Sequence, residues 1–319
     1  MKLKLNDFDQ GLKINLVTGG AGFLGSHLID SLMESGEKVI CIDNFFNGNL
    51  DNIQKWTEHK NFECINMDVC NQFSSKVDRI WHLASIASPD LYLRNPIETL
   101  NISFVGSYNM LELARKFKAK ILLTSSSEIY GESNFNILNE EYLGNINCFS
   151  ERASYAEAKR ISETLFFNYK NIYGVDIRIA RIFNTYGPRL SFRDGRVISK
   201  FIYQIINDMP VQINGDGNQT RSFCYVDDMI KGLRMLMESE YSKPINLGSK
   251  EEISIKDLAY FIGKKIGKNI KFQYCSSLNG DTIRRKPQID KAYNKLGWLP
   301  SITLDKGLEL LINDIVKNK

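Results

Sequence analysis

Six cysteines and three histidines in 319 residues are too few and too scattered to build a metal centre. Cys41, Cys64, Cys70, Cys148, Cys224 and Cys275 include no CxxC pair, and His27, His59 and His82 stand far apart. The expectation is no metal, reduced thiols, and cysteines that serve mostly as small core residues. No run approaches the roughly 20 apolar residues of a membrane span. The opening "MKLKLNDFDQGLK" has charges every few residues and no apolar stretch of signal-peptide length, so the chain reads as cytoplasmic. A net charge of +4 is too small to imply a nucleic-acid partner. Internal repeats and low-complexity segments are also lacking.

With 43% hydrophobic and 24% charged residues, the chain has the composition of a soluble globular protein and the length to bury a substantial core. Strand-like apolar runs at 14–18, 39–42, 62–65, 79–83, 120–124 and 175–182 alternate with helical patterns at 24–33, 97–117 and 153–173. That alternation predicts an α/β fold, a doubly wound parallel Rossmann sheet with helices on both faces. After residue 185 the pattern loosens into short elements separated by "GDGNQ" and "SSLNGD". We expect a dinucleotide-binding domain at 1–185 and a smaller C-terminal α/β substrate lobe at 186–319 that closes over it, with interleaving of segments allowed.

The stretch "INLVTGGAGFLGSHL" spaces Gly19, Gly22 and Gly25 between a strand and an amphipathic helix. The first glycine permits the turn, the second admits a pyrophosphate to the backbone, and the third lets helix and strand pack closely. Phosphate then meets the helix N-terminus, with Phe23 and Leu24 beside it. Asp43, 18 residues after Gly25, ends the second strand where a carboxylate can accept bonds from both ribose hydroxyls. Asn44 follows it. A carboxylate at this point repels a 2′-phosphate, and "DNFFNGNL" holds no arginine to offset it, so the expected cofactor is NAD rather than NADP.

Tyr155 and Lys159 form YxxxK on a helical segment, four residues apart and therefore on one face. A free phenol has a pKa of about 10, and a base working near neutrality needs it lowered by roughly 3 units. A neighbouring ammonium and a cationic nicotinamide are the expected sources. Upstream, the serine cluster of "TSSSEIYG" at 124–131 follows an apolar strand, the place where open parallel sheets bind ligands.

TGGAGFLGSH, HLAS at 82–85, the SSSE block, YxxxK, "RIFNTYGPR" at 181–189, "GDGNQTRSFCYVDD" at 215–228 and "NLGS" at 246–249 together resemble the extended short-chain dehydrogenase/reductase family that acts on nucleotide sugars. The resemblance covers nearly the whole chain. It implies tightly held NAD, a sugar-nucleotide lobe, and a homodimer through the helices near 97–117 and 153–173. It also implies Asp68 and Val69 at the adenine, Leu83, Ala84 and Ser85 along the cofactor, and Lys159 at the nicotinamide ribose. Asn184, Arg196 and Arg221 are implied at the sugar nucleotide or its diphosphate.

Ser127-Glu128 distinguishes branches of that family. Epimerases usually lack an acid at the second position, and 4,6-dehydratases carry Asp-Glu, whereas the UDP-glucuronate decarboxylases resemble this chain in reading Ser-Glu. Oxidising C4 of a uronic acid puts a ketone β to the carboxylate, so carbon dioxide leaves without an acid to protonate a departing hydroxyl. In that reading Ser126 bonds the C4 oxygen, and Glu128 with Ser127 positions the carboxylate and manages the C5 proton. "RRKPQIDKAYNKLGWLP" is similar to the decarboxylases' arginine-lysine-proline segment, which puts Arg285 at the active site. A guanidinium fork suits a uronate or a diphosphate. The expected reaction is redox-neutral conversion of UDP-glucuronate to UDP-xylose; a 4,6-dehydratase, a C4 epimerase or an oxidase of another nucleotide sugar is the alternative. Departures cluster near the substrate: residues 151–159 read ERASYAEAK where the branch usually reads PRSCYDEGK, Ile86 replaces a common proline, Lys200 an asparagine, and Asn214 a tyrosine.

Overall fold

Aliphatic and β-branched runs become strands here because helices cover both faces of the sheet they join, so every position of the pleat can be apolar. A computed structural model describes residues 11–133, 135, 137–276 and 284–317. β1 (Ile14–Thr18), β2 (Lys38–Asp43), β3 (Phe62–Asn66), β4 (Arg79–His82), β5 (Lys120–Ser126) and β6 (Ile177–Ile182) are joined by a strand at Pro244–Leu247. Their order across the sheet is β3-β2-β1-β4-β5-β6 and then 244–247, with each pairing parallel. The order reverses between β1 and β4, which opens a crevice at the carboxyl ends of the strands.

α1 (Phe23–Glu34), α2 (Pro89–Arg94), α3 (Pro96–Asn101), α4 (Ser107–Phe117) and α5 (Ala153–Tyr173) belong to the first half. The single helix expected over 97–117 is α3, a π-helical turn at Ile102–Gly106, and α4. The wider turn brings Gly106 against Val69, where a Cβ would sit 2.7 Å from Val69 Cγ2. The expected strand at 175–182 begins two residues later, at Ile177.

Past residue 185 come α6 (Val197–Ile206), α7 (Val226–Glu238), α8 (Ile255–Ile266), α9 (Asp290–Leu296) and α10 (Leu304–Lys317), with short strands between them. Thr220–Ser222 lies between Glu252–Ser254 and Arg284–Arg285. The chain interleaves: α7 packs on α1, and 244–247 extends the main sheet beside β6. One apolar core runs from Val17 and Leu28 through Phe201 and Leu233 to Leu258 and Trp298, while Met110, Leu111, Leu123 and Phe166 fill the other face. None of the six cysteines is in a disulfide, but only Cys41 and Cys224 are buried. The expectation that most serve the core is corrected accordingly: Cys64, Cys70 and Cys275 are half-buried and Cys148 is exposed.

Candidate active site

At the end of β1 the chain turns through Gly19, whose φ of +69° is the left-handed region that favours glycine. Gly25 has a different constraint. A Cβ there would sit 2.1 Å from the Gly19 carbonyl oxygen, so only glycine lets α1 approach the turn this closely. Gly22 caps α1 with extended backbone. Asp43 accepts hydrogen bonds from the Ala21 amide at 2.9 Å and the Phe45 amide at 2.8 Å, which ties its carboxylate to the glycine loop. Burial raises its pKa, and the two amides offset only part of that rise. Asn44 donates to Asp68 at 2.7 Å, linking the ends of β2 and β3.

Beyond β4, the amides of Leu83 and Ala84 both donate to Thr18 Oγ1 at 3.2 Å. Thr18 is 2.9 Å from His82 Nδ1, and His82 Nε2 is 3.2 Å from Ser107. Ser107 donates to Ser162, which donates to the Ser103 and Ala158 carbonyls. With Ser107 donating onward, His82 Nε2 donates to Ser107, and a neutral ring then accepts from Thr18 at Nδ1. Burial, and then the Lys159 ammonium, push its pKa down to about 3. The Ser85 hydroxyl is buried in the cleft with no hydrogen-bond partner among the described residues.

β5 ends at Ser126, whose hydroxyl accepts from the Glu128 amide at 3.2 Å and so starts the short turn Ser127–Tyr130. α5 presents Tyr155 and Lys159 to this strand end. Tyr155 is buried, stacks on Tyr92 with ring centroids 5.1 Å apart, and has its phenol hydrogen-bonded to Ser126. Burial pushes its pKa up to about 12, against which the Ser126 bond and the Arg196 charge act. The sequence reading expected lowering by Lys159 together with a cationic nicotinamide. Instead, the ammonium donates to the Thr124 carbonyl at 2.9 Å and stands 5.9 Å from the phenol ring centroid, and desolvation of the ring outweighs its neighbours. Burial also lowers Lys159, to about 8, with Glu163 working the other way.

Glu128 is ion-paired with Arg285 and lies 3.5 Å from Arg152. Burial raises its carboxyl pKa, but Arg285, Arg152 and Arg221 outweigh that, so the net shift is downward and the group is a carboxylate. Arg285 is itself buried, and its Nε has no acceptor among the described residues. It sits on a two-residue strand paired to Arg221, and its neighbours Arg284 and Lys286 both reach Glu252. Arg196 pairs with Asp194 at 3.0 Å, and Asn184 Nδ2 donates to the Ser222 carbonyl at 3.5 Å.

Every candidate residue read from the sequence lines one cleft of about 420 Å³ at the carboxyl ends of the strands. Its two ends differ in chemistry: glycine backbone, a helix N-terminus and Asp43 at one, the cations Arg196, Lys200, Arg221 and Arg285 at the other. The first end has what a dinucleotide needs, namely a backbone cradle with no Cβ in the way, a carboxylate for ribose hydroxyls and the orphaned Ser85 hydroxyl. The second suits a diphosphate or carboxylate. Sequence reasoning assigned no role to Tyr92, Arg152, Asp194, Gln212, Gln219 or Phe223, which also line the cleft. Arg152 had a signal, its place three residues before Tyr155; Tyr92 had none, because α2 brings it from far along the chain.

Residues 16–311 match the family described as GDP-mannose 4,6 dehydratase. UDP-glucuronic acid decarboxylase 6 of Arabidopsis thaliana is 45% identical over 308 residues, 96% of this chain and 90% of that protein. UDP-glucuronic acid decarboxylase 1 of Xenopus tropicalis is 46% identical over 298 residues, 93% of this chain and 71% of that one. Among solved structures, the UDP-glucose 4-epimerase of Thermotoga maritima with UDP-glucose superposes with a TM-score of 0.89 at 28% identity, covering 96% of this chain and 99% of that one. The UDP-glucuronic acid 4-epimerase of Bacillus cereus in complex with UDP-glucuronic acid and NAD gives 0.85 at 30% identity, covering 96% and 100%.

Proposed function

The chain belongs to the GDP-mannose 4,6-dehydratase family, and from that premise we propose that it is an NAD-dependent decarboxylase converting UDP-glucuronate to UDP-xylose without net redox change. The observation that carries this reading is the Glu128–Arg285 pair in the catalytic cleft. A carboxylate and a guanidinium side by side, next to Ser127, which is no acid, are what handling a uronate's C5 and C6 calls for, and this supports the reading.

Gly19, Gly22, Phe23, Leu24 and Gly25 would hold the cofactor pyrophosphate, Asp43 and Asn44 the adenosine ribose, and Asp68 and Val69 the adenine. Leu83, Ala84 and Ser85 would line the nicotinamide half. NAD held there would supply the hydride acceptor for C4 and the hydride needed once carbon dioxide has left, and its positive charge would favour ionisation of the buried phenol. Tyr155 takes the proton of the 4-hydroxyl, and Ser126 holds the C4 oxygen as it becomes a ketone. Lys159 holds the ribose and keeps positive charge near the phenol. Arg285 orients the carboxylate. Once C6 departs as carbon dioxide, C5 takes a proton from a solvent water that the Glu128 carboxylate and Ser127 orient, and Tyr155 returns its proton to the C4 oxygen as the hydride comes back. Asn184, Arg196 and Arg221 hold the sugar nucleotide.

Two further readings accompany this one. A homodimer is supported by the exposed apolar side chains Ile97, Leu100, Phe104 and Tyr108 on one helical stretch and Ile161, Phe167 and Ile172 on α5. No helix among the described residues is long and apolar enough to cross a membrane, and a cytoplasmic location agrees with six cysteines outside any disulfide.

The test is incubation with NAD and UDP-glucuronate, followed by mass spectrometry of the sugar nucleotide and by NADH absorbance. A UDP-pentose without lasting NADH is the expected result. A product of unchanged mass is an epimer, loss of water marks a dehydratase, and untouched substrate overturns the choice of uronate.

A further inference from the structure

Tyr155, Lys159 and Glu163 recur every four residues along α5 and form one stripe facing the end of β5. No catalytic contact falls to Glu163. Yet its carboxylate, with 13% of the side chain exposed, accepts the Ser125 hydroxyl at 2.5 Å and receives Arg181 in a fork, Nε at 3.1 Å and Nη2 at 2.8 Å. Arg181 also donates to the Tyr130 hydroxyl and the Glu140 carbonyl, both at 3.1 Å. Tyr130 in turn donates to Asn246 on the far strand at 2.7 Å. A carboxylate that shares its oxygens among three donors is costly to bury and is held in one position.

Two bonds join α5 to successive residues of β5: Lys159 to the Thr124 carbonyl and Glu163 to the Ser125 hydroxyl. The next residue is Ser126, the hydroxyl that meets Tyr155. We propose that Glu163 is a positioning residue, which through Ser125 sets the distance between Ser126 and Tyr155 and, as the counter-charge one turn away, keeps Lys159 an ammonium. The groups facing Lys159 are Tyr155 and Glu163 from its own helix and His82 from β4, with Arg181 of β6 behind Glu163. Tyr155 and His82 are both neutral near pH 7, so Glu163 is the facing anion. Burial works against the ammonium, and Glu163 opposes it.

The inference rests on Tyr155 and Lys159 being the base and its cation, but its test needs no substrate. Lysines labelled with ¹³C at Cε are titrated by NMR, with the Lys159 signal assigned from Lys159→Met. Glu163→Gln should move the Lys159 midpoint down by roughly one pH unit or more. Arg181→Gln should move it up, because the carboxylate then answers to no other guanidinium. Purely structural damage predicts no such opposed pair. Glu163→Asp should restore the midpoint, as the charge is kept. Where the decarboxylase assay succeeds, Ser125→Ala should lower kcat severalfold with KM for UDP-glucuronate unchanged and the midpoint unmoved. An unmoved midpoint in either charge variant that melts cooperatively overturns the counter-charge role, and wild-type kcat in Ser125→Ala overturns the strand-end role. If the wild type leaves UDP-glucuronate untouched, the choice of substrate fails while the titration still decides the rest.

Discussion

Glu128 holds its charge in the cleft only because Arg285 and Arg152 are beside it, and Arg285 is buried with it. Glu128→Gln keeps the shape and removes the charge. Release of carbon dioxide should then fall by about 100-fold, while the first oxidation, read as NADH formed in a single turnover, falls far less. Equal losses in both steps would take away the special role of this carboxylate. Tyr155→Phe keeps the stack on Tyr92 but removes the proton acceptor, so NADH should not form at all in the same experiment. His82 carries a different consequence. Its folded pKa is about 3 against 6.5 for the free side chain, so the unfolded chain binds the proton first as pH falls. Stability is therefore fully present above pH 6.5 and is lost below it, on the order of 1.4 kcal/mol per pH unit toward pH 3. Urea midpoints measured from pH 7 to 4.5 should show that slope, and His82→Asn should flatten it.

The strand-turn-helix at residues 14–34 was legible as an element because its glycines are demanded by distances. Gly25→Ala would drive a methyl group into the Gly19 carbonyl. NAD affinity by titration calorimetry should drop about tenfold or more, and the melting temperature should fall with it. The segment 97–117 was less legible. Its apolar spacing suits one continuous helix, and nothing local announces the π-helical turn, which depends on Gly106 meeting Val69 from a different part of the chain. The depth of Tyr155 was illegible for a related reason: spacing four residues apart puts two groups on one face but says nothing of how deeply the ring is buried or that the Thr124 carbonyl claims the Lys159 ammonium.

Across the whole molecule, one continuous core joins the sheet to the lobe that carries Arg196, Arg221 and Arg285, so both ends of the cleft are anchored in the same packing. Exposed apolar side chains recur on the helices of 97–117 and on α5, and the homodimer proposed above would bury them on both copies at once. Phe104→Glu should shift sedimentation from dimer to monomer with the circular dichroism spectrum retained; unchanged sedimentation would exclude this face. The sequence by itself determined the parallel sheet, the glycine cradle, the carboxylate at the end of the second strand, and the Ser, Glu, Tyr and Lys of the reacting end, because each is a local pattern whose residue types and spacing carry its chemistry. Only the tertiary structure decided that Tyr92 stacks on Tyr155, that Arg285 and Arg152 hold Glu128 charged, that Arg181 and Ser125 hold Glu163, and that residues 244–247 rejoin the sheet. Those contacts join segments from 18 to 157 residues apart or depend on depth of burial, and neither separation in space nor desolvation is written in a local pattern.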